Sequence, residues 1–158
     1  LEQIVPNKKI DPNNYIEPDE LVNLIEVFWK EKDRFIDGYV QKNPLNLTYR
    51  NLNIIKDFKY GMRKNFLLAV YEKNYTVLND EGINYMVKGL NENLDKFIPA
   101  EKTPMLIQTA IMPFNGMIIY DGFISTADMQ LSQELVSKAF EDYSYGQKIY
   151  SLLPKNMN

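Results

Sequence analysis

Apolar positions recur along this chain with two different periods, and the change between them falls near residue 66. In the first part Leu21, Leu24, Ile25, Phe28, Phe35 and Tyr39 follow at helical steps, with Lys32 in the same stripe. Such spacing lays one apolar face along a helix. The start is marked by Glu17-Pro18-Asp19-Glu20, because proline fits the first turn and acids oppose the positive end of the helix dipole. Asn43-Pro44 ends this helix, and Gly38 is a candidate for an earlier break. Thr48 is placed to cap a second, shorter helix in which Leu52, Ile55 and Phe58 share a face, with Gly61 expected to end it in the left-handed conformation.

From Phe66 the texture becomes that of strands. Residues 66–71 are apolar throughout, Glu72-Lys73-Asn74 signals a turn, and residues 75–78 favour β-structure before Asn79-Asp80-Glu81-Gly82. Residues 83–90 read as a third strand and residues 91–99 as a polar connection. The strongest pair is residues 105–112 and 117–124, joined through Pro113-Phe114-Asn115-Gly116, since Asn-Gly between apolar runs marks a hairpin. Leu131, Leu135, Ala139, Phe140 and Tyr143 return to helical spacing up to Gly146. The predicted fold is α+β: an antiparallel sheet of about five strands built from hairpins, covered by two N-terminal helices and one C-terminal helix. Residues 1–15, with Pro6, Pro12 and few apolar positions, read as an extended lead-in or linker, residues 16–154 as one domain, and residues 155–158 as a tail.

Composition narrows the chemistry. The chain has neither cysteine nor histidine. Disulfides, thiolate nucleophiles, cysteine-held zinc or iron–sulfur sites and imidazole acid–base chemistry are all excluded for these residues. A reaction here would need carboxylates, Lys, Tyr, Ser or Thr, or a metal held by oxygens alone. The 8 Phe, 11 Tyr and single Trp are mainly core material. A formal charge of −3 and a pI near 5.1 give no general attraction to nucleic acid or anionic lipid. No apolar run approaches the roughly 18 residues of a membrane span and no secretory leader pattern opens the chain, so a cytoplasmic protein with no membrane partner is the expectation.

The seven glycines form no phosphate-cradling loop, and no serine has the flanking glycines of a nucleophile elbow. No catalytic residue, cofactor or metal ligand is therefore assigned. Two features stand out. The stretch Lys56-Asp-Phe-Lys59-Tyr-Gly-Met-Arg63-Lys64 sets four cations and one acid around two aromatics. Such a mixture can grip phosphates while rings stack on bases, although cations also favour a helix C-terminus without any ligand. Asp121 is a carboxylate inside the apolar run 117–124. It is read either as a solvent-facing residue beside an irregularity at Gly122, or as a cleft acid serving as base or oxygen ligand. Asp128, Glu134, Glu141 and Asp142 have the spacing of an amphipathic helix and match no metal loop.

The runs Leu52-Asn-Ile-Ile-Lys-Asp-Phe-Lys, Lys64-Asn-Phe-Leu-Leu-Ala-Val-Tyr and Tyr85-Met-Val-Lys-Gly-Leu, and above all Met112-Pro-Phe-Asn-Gly-Met-Ile-Ile-Tyr-Asp-Gly, resemble an uncharacterised bacterial domain often found in SEC-C motif-containing proteins. The cysteine-rich zinc segment of those proteins is absent here. The resemblance implies a bacterial, cytoplasmic context and carries no activity. The expected role is a non-catalytic binding or interaction module with a protein partner. The alternatives are a nucleic-acid-associated domain using Lys56, Lys59, Arg63 and Lys64, and a carboxylate-dependent enzyme centred on Asp121.

Overall fold

The computed structural model describes residues 16–127 and 130–155, so the lead-in 1–15, Asp128 and most of the tail lie outside the described residues. The chain divides into two compact units at Lys59/Tyr60. In the first, the long helix expected up to Asn43 is two helices, α1 (Pro18–Lys30) and α2 (Lys32–Lys42). The break is at Glu31 (φ −118°, ψ 22°), whose N–H is shared between the carbonyls of Val27 and Phe28, each 3.2 Å away. Gly38 lies inside α2 and breaks nothing. The Phe28 and Phe35 rings stack across the break, 6.1 Å between centroids. α2 ends at Asn43 in the left-handed conformation (φ 39°), and the Asn43 amide bonds Leu47 through both its groups, which sets the approach to α3 (Tyr49–Asp57). Thr48 caps α3 as expected, its Oγ1 accepting from the Asn51 N–H at 3.3 Å. A 3-10 turn, Phe58–Tyr60, follows, and Gly61 is not left-handed, because the chain passes straight into a strand.

The second unit holds β1 (Met62–Glu72), β2 (Tyr75–Asp80), β3 (Ile83–Lys88), β4 (Met105–Phe114), β5 (Met117–Tyr120), β6 (Ser125–Thr126), α4 (Gln133–Tyr145) and β7 (Gln147–Ile149). The α+β class stands. The sheet, however, has seven strands among the described residues and is mixed, and four helices rather than three accompany it. β3 pairs parallel with β5 through Val87↔Ile118 and, further back along the same edge, parallel with β7 through Asn84↔Lys148. Hairpin signals are local and report only antiparallel neighbours, which is why neither pairing was expected.

The pairings close into a ring. β1 pairs β2 over Leu67–Glu72 and β4 over Met62–Leu68, while β2–β3, β3–β5 and β5–β4 complete the circuit. One strand serves both neighbours because its register shifts between Leu68 and Val70, a bulge that turns the strand sharply. Inside the ring Phe66, Leu68, Leu78, Val87, Ile107, Ile111 and Ile118 are at most 1% exposed, so the interior is filled by side chains, as a barrel of this size must be. The β3–β4 connection adds Leu94 and Ile98 to that core and is tied down by two phenols, Tyr71 donating to the Ile98 carbonyl and Tyr120 to that of Glu92, both at 2.7 Å.

The β4–β5 hairpin turns at Asn115 (φ 48°) and Gly116 (φ 76°), as the sequence predicts. A Cβ at Gly116 meets nothing within 4 Å, so the cost of a side chain there is purely that of the backbone. Gly116→Val should lower the unfolding free energy by about 1–2 kcal/mol in chemical denaturation, the penalty for a left-handed residue.

Candidate functional site

Successive strand residues face opposite sides, so each residue pointing into the ring leaves its neighbours on the outer face. On β1 to β3 that outer face carries a second apolar cluster of Ala69, Val77 and Met86, with Val70, Tyr75 and Tyr143 packed against it. Tyr143 belongs to α4, whose Ser132 N-cap accepts from Leu135 at 3.3 Å and whose Ala139 is buried. One buried side chain fastens the helix. Asn84, fully buried, accepts from the Asn79 amide at 2.8 Å and donates to the carbonyls of Tyr143 at 3.1 Å, Gly146 at 3.3 Å and Asp142 at 3.4 Å. The Asp142 carbonyl also accepts from the Gly146 N–H at 2.8 Å, and Asn84 adds a donor from the sheet to the carbonyls at the helix end, acting as a cap supplied from β3.

Beyond α4 the same face continues as a polar and aromatic surface spanning β1, β2, β3 and the segment after β7. Glu72, at the end of β1, accepts from the Lys148 ammonium at 2.6 Å and from the Tyr143 hydroxyl. The bond from Lys148, reinforced by that from Tyr143, holds the Glu72 carboxyl below its ordinary range, and the same contacts raise Lys148 and Tyr143. The Lys148 ammonium also stands 5.5 Å from the Tyr143 ring centre. Next to this group the Tyr75 ring meets Tyr150 edge-on at 5.4 Å and carries the Lys88 ammonium 4.9 Å over its face. Tyr150 is 49% exposed, Lys148 is exposed, and Tyr75 and Lys88 are half-buried. Rings held by neighbours, with cations between them, suit planar anionic ligands.

The sign of the Glu72 shift fixes a pH dependence. Its carboxyl is depressed in the folded state, so the stability it contributes is complete above the unfolded carboxyl range and is lost as pH falls through the lower folded value. Glu72→Gln should therefore flatten the fall of the thermal midpoint between about pH 5 and pH 3.

The residues singled out from the sequence occupy other places. Lys56 is exposed on α3, and Lys59, at its end, pairs with Asp37 at 2.5 Å. Arg63 and Lys64 belong to the second unit, where β1 has already begun, so they face opposite sides of a strand instead of extending a helix end. Arg63 donates to Gln108 at 3.3 Å, and Lys64 pairs with Asp80, whose hydrogen bond raises the Lys64 ammonium. The four cations are thus spread over two units, and three of them have polar partners.

Asp121 builds a turn. Its Oδ1 accepts from the Phe123 N–H at 3.0 Å and lies 3.5 Å from the Thr109 hydroxyl, which itself donates to the Phe123 carbonyl at 2.9 Å. With Gly122 at φ 88°, this makes an irregular bulge between β5 and β6, where two residues of β4 oppose four on the other strand. Asp121→Asn keeps the acceptor and should cost no more than about 0.5 kcal/mol, whereas Asp121→Ala should cost about 1 kcal/mol in the same unfolding assay. Glu134, Glu141 and Asp142 lie on α4, and no group of three or more Asp, Glu, His or Cys able to hold a metal ion stands among the described residues.

Sequence reasoning passed over Glu72, Tyr75, Lys88, Lys148 and Tyr150. Glu72 meets its partners 71 and 76 residues away, a separation no local pattern can signal. The one available hint was alternation: Tyr75, Val77 and Asn79 on β2, and Asn84, Met86 and Lys88 on β3, share the face that the paired registers set side by side. Set against protein-family models, curated proteins and solved structures, this chain matches none.

Proposed function

We propose that this chain is a non-catalytic binding module that takes its ligand on the outer face of β2, β3 and β7. A single observation carries the reading: the ring of strands is packed solid inside, while Tyr75, Lys88, Lys148 and Tyr150 stand together outside it. A ligand that cannot enter must lie across the sheet. Five-stranded Greek-key barrels of the OB type carry oligonucleotides and oligosaccharides on the outer face of their second and third strands. That parallel is one of architecture, and the chemistry of the site is what selects the ligand. Two exposed or half-exposed tyrosines and two lysines fit single-stranded nucleic acid, whose bases stack on rings while the backbone phosphates meet ammonium groups. The resemblance to the SEC-C-associated domain would place this module in a bacterial cytoplasmic protein.

The net charge of −3 limits the electrostatic share. With Lys88 in reach and Lys148 held by Glu72, log K should fall against log salt with a slope between about −0.7 and −1.4 for a single strand. Fluorescence anisotropy with a labelled oligothymidylate, titrated at several salt concentrations, tests this. Binding with a shallow salt slope supports the reading. Absence of binding at low salt removes nucleic acid as the ligand, and a much steeper slope moves the contact to another set of cations.

A further inference from the structure

An acid stands among the cations and rings of the outer face, and a surface that meets phosphates has no general use for one. Glu72 lies directly opposite Tyr75 in the β1–β2 register, which sets the two side chains on one face with Cβ atoms roughly 4.5–5.5 Å apart. Lys148 joins Glu72 to the other ring, since Tyr150 lies close enough to act on the Lys148 charge. The acid is thus beside both tyrosines. Its bonds leave half of the carboxyl open: Lys148 and Tyr143 both donate to Oε1, Oε2 accepts from no described residue, and the side chain is 26% exposed. The same two donors keep the group ionised, so it presents acceptors alone.

A stacking ring takes any base, whereas a pair of acceptors beside it reads the edge of the base. Guanine is the base whose Watson–Crick edge offers two neighbouring donors, N1–H and the N2 amine. Adenine and cytosine set an acceptor nitrogen next to their amine, and thymine and uracil flank a single N–H with carbonyls. Resting on the reading of this face as a single-strand platform, we propose that Glu72 makes it select guanine. The base stacks on the Tyr75 and Tyr150 pair while its N1–H and N2 amine donate to the Glu72 carboxylate. Oε2 takes one donor outright, and the other competes with the Tyr143 hydroxyl for Oε1, which places the gain toward the low end of the range for a bidentate contact. The carboxylate repels the acceptors that other bases present in the same place. Acid and cations have separate tasks, the acid reading the base edge and Lys88 and Lys148 meeting the backbone.

The test is fluorescence anisotropy at low salt with a labelled short oligothymidylate and with the same oligonucleotide carrying one central guanine, inosine or adenine. The guanine oligonucleotide should bind about tenfold tighter than the adenine one, a purine of similar stacking surface. Inosine keeps N1–H and lacks the amine, so it should fall between them. Glu72→Gln, whose amide oxygen still accepts from Lys148, should bring guanine and adenine to the same affinity while thymidylate binding holds or improves. Equal affinity of the parent for guanine and adenine overturns the selectivity and leaves the platform standing, whereas failure of every oligonucleotide to bind removes both. A guanine preference that persists unchanged in Glu72→Gln also overturns the proposal. So does an inosine oligonucleotide as tight as the guanine one, and that comparison depends on no variant.

Discussion

Asn84→Leu will lower the unfolding free energy of the barrel unit by about 3 kcal/mol, because a side chain of the same branching but with no polar atoms, and somewhat larger, replaces a buried hub of hydrogen bonds. The substitution leaves the Asn79 amide without its 2.8 Å acceptor and the last carbonyls of α4 without their donor. Each polar group so orphaned in a dry site costs about 1–3 kcal/mol. Asn84→Asp should be worse near neutral pH, since a carboxylate then faces the same carbonyls. Gly146 reports on this fastening independently. A Cβ there would lie 2.3 Å from both the Asp142 and Gly82 carbonyl oxygens, so Gly146→Ala must push the helix end off the sheet. If the denaturation midpoint of Asn84→Leu matched the parent, α4 would not be held in the way described.

The second large effect concerns binding. Tyr75→Ala together with Tyr150→Ala should weaken binding of a single-stranded oligonucleotide by about 30-fold or more, since each stacked base contributes about 1–3 kcal/mol. Stability should fall less, because Tyr150 is 49% exposed and Tyr75 only half-buried. Lys88→Met should weaken binding uniformly across sequences and reduce the salt slope by about 0.7, the share of one phosphate contact. Neutralising Lys56 and Lys59 should change neither quantity, since Lys59 is already engaged by Asp37 and Lys56 is on α3. The reverse result, with the tyrosines silent and the α3 lysines decisive, would return the ligand to the first unit.

Local signals read well in this sequence, and distant ones did not. Thr48 as a cap, the Asn115-Gly116 turn and the C-terminal helix all follow from chemistry within a few residues and stand in the structure, although that helix begins at Gln133 and leaves Leu131, the first residue of the expected stripe, outside it. The parallel pairings of β3 join segments far apart in the chain, so hairpin reasoning had no access to them. β7 is only Gln147–Ile149, too short and too polar to announce itself, and it exists because β5 leaves that edge of β3 uncovered. The break at Glu31 has no glycine or proline to mark it. The irregularity at Gly122 was legible in the sequence, and Asp121 supports the turn there through its bond from the Phe123 N–H. Within the basic stretch the chain changes from helix to strand, a change its charge pattern does not announce.

The central claim is that ligand is taken on the outer face of β2, β3 and β7. Amide shift mapping by NMR, with the labelled chain titrated with a short oligothymidylate, tests it residue by residue. The account predicts that saturable shifts cluster at Tyr75, Lys88, Lys148 and Tyr150 and leave Asp121 and Lys56 unmoved. Shifts confined to α3 and the start of β1, or no shifts at millimolar oligonucleotide, would contradict it.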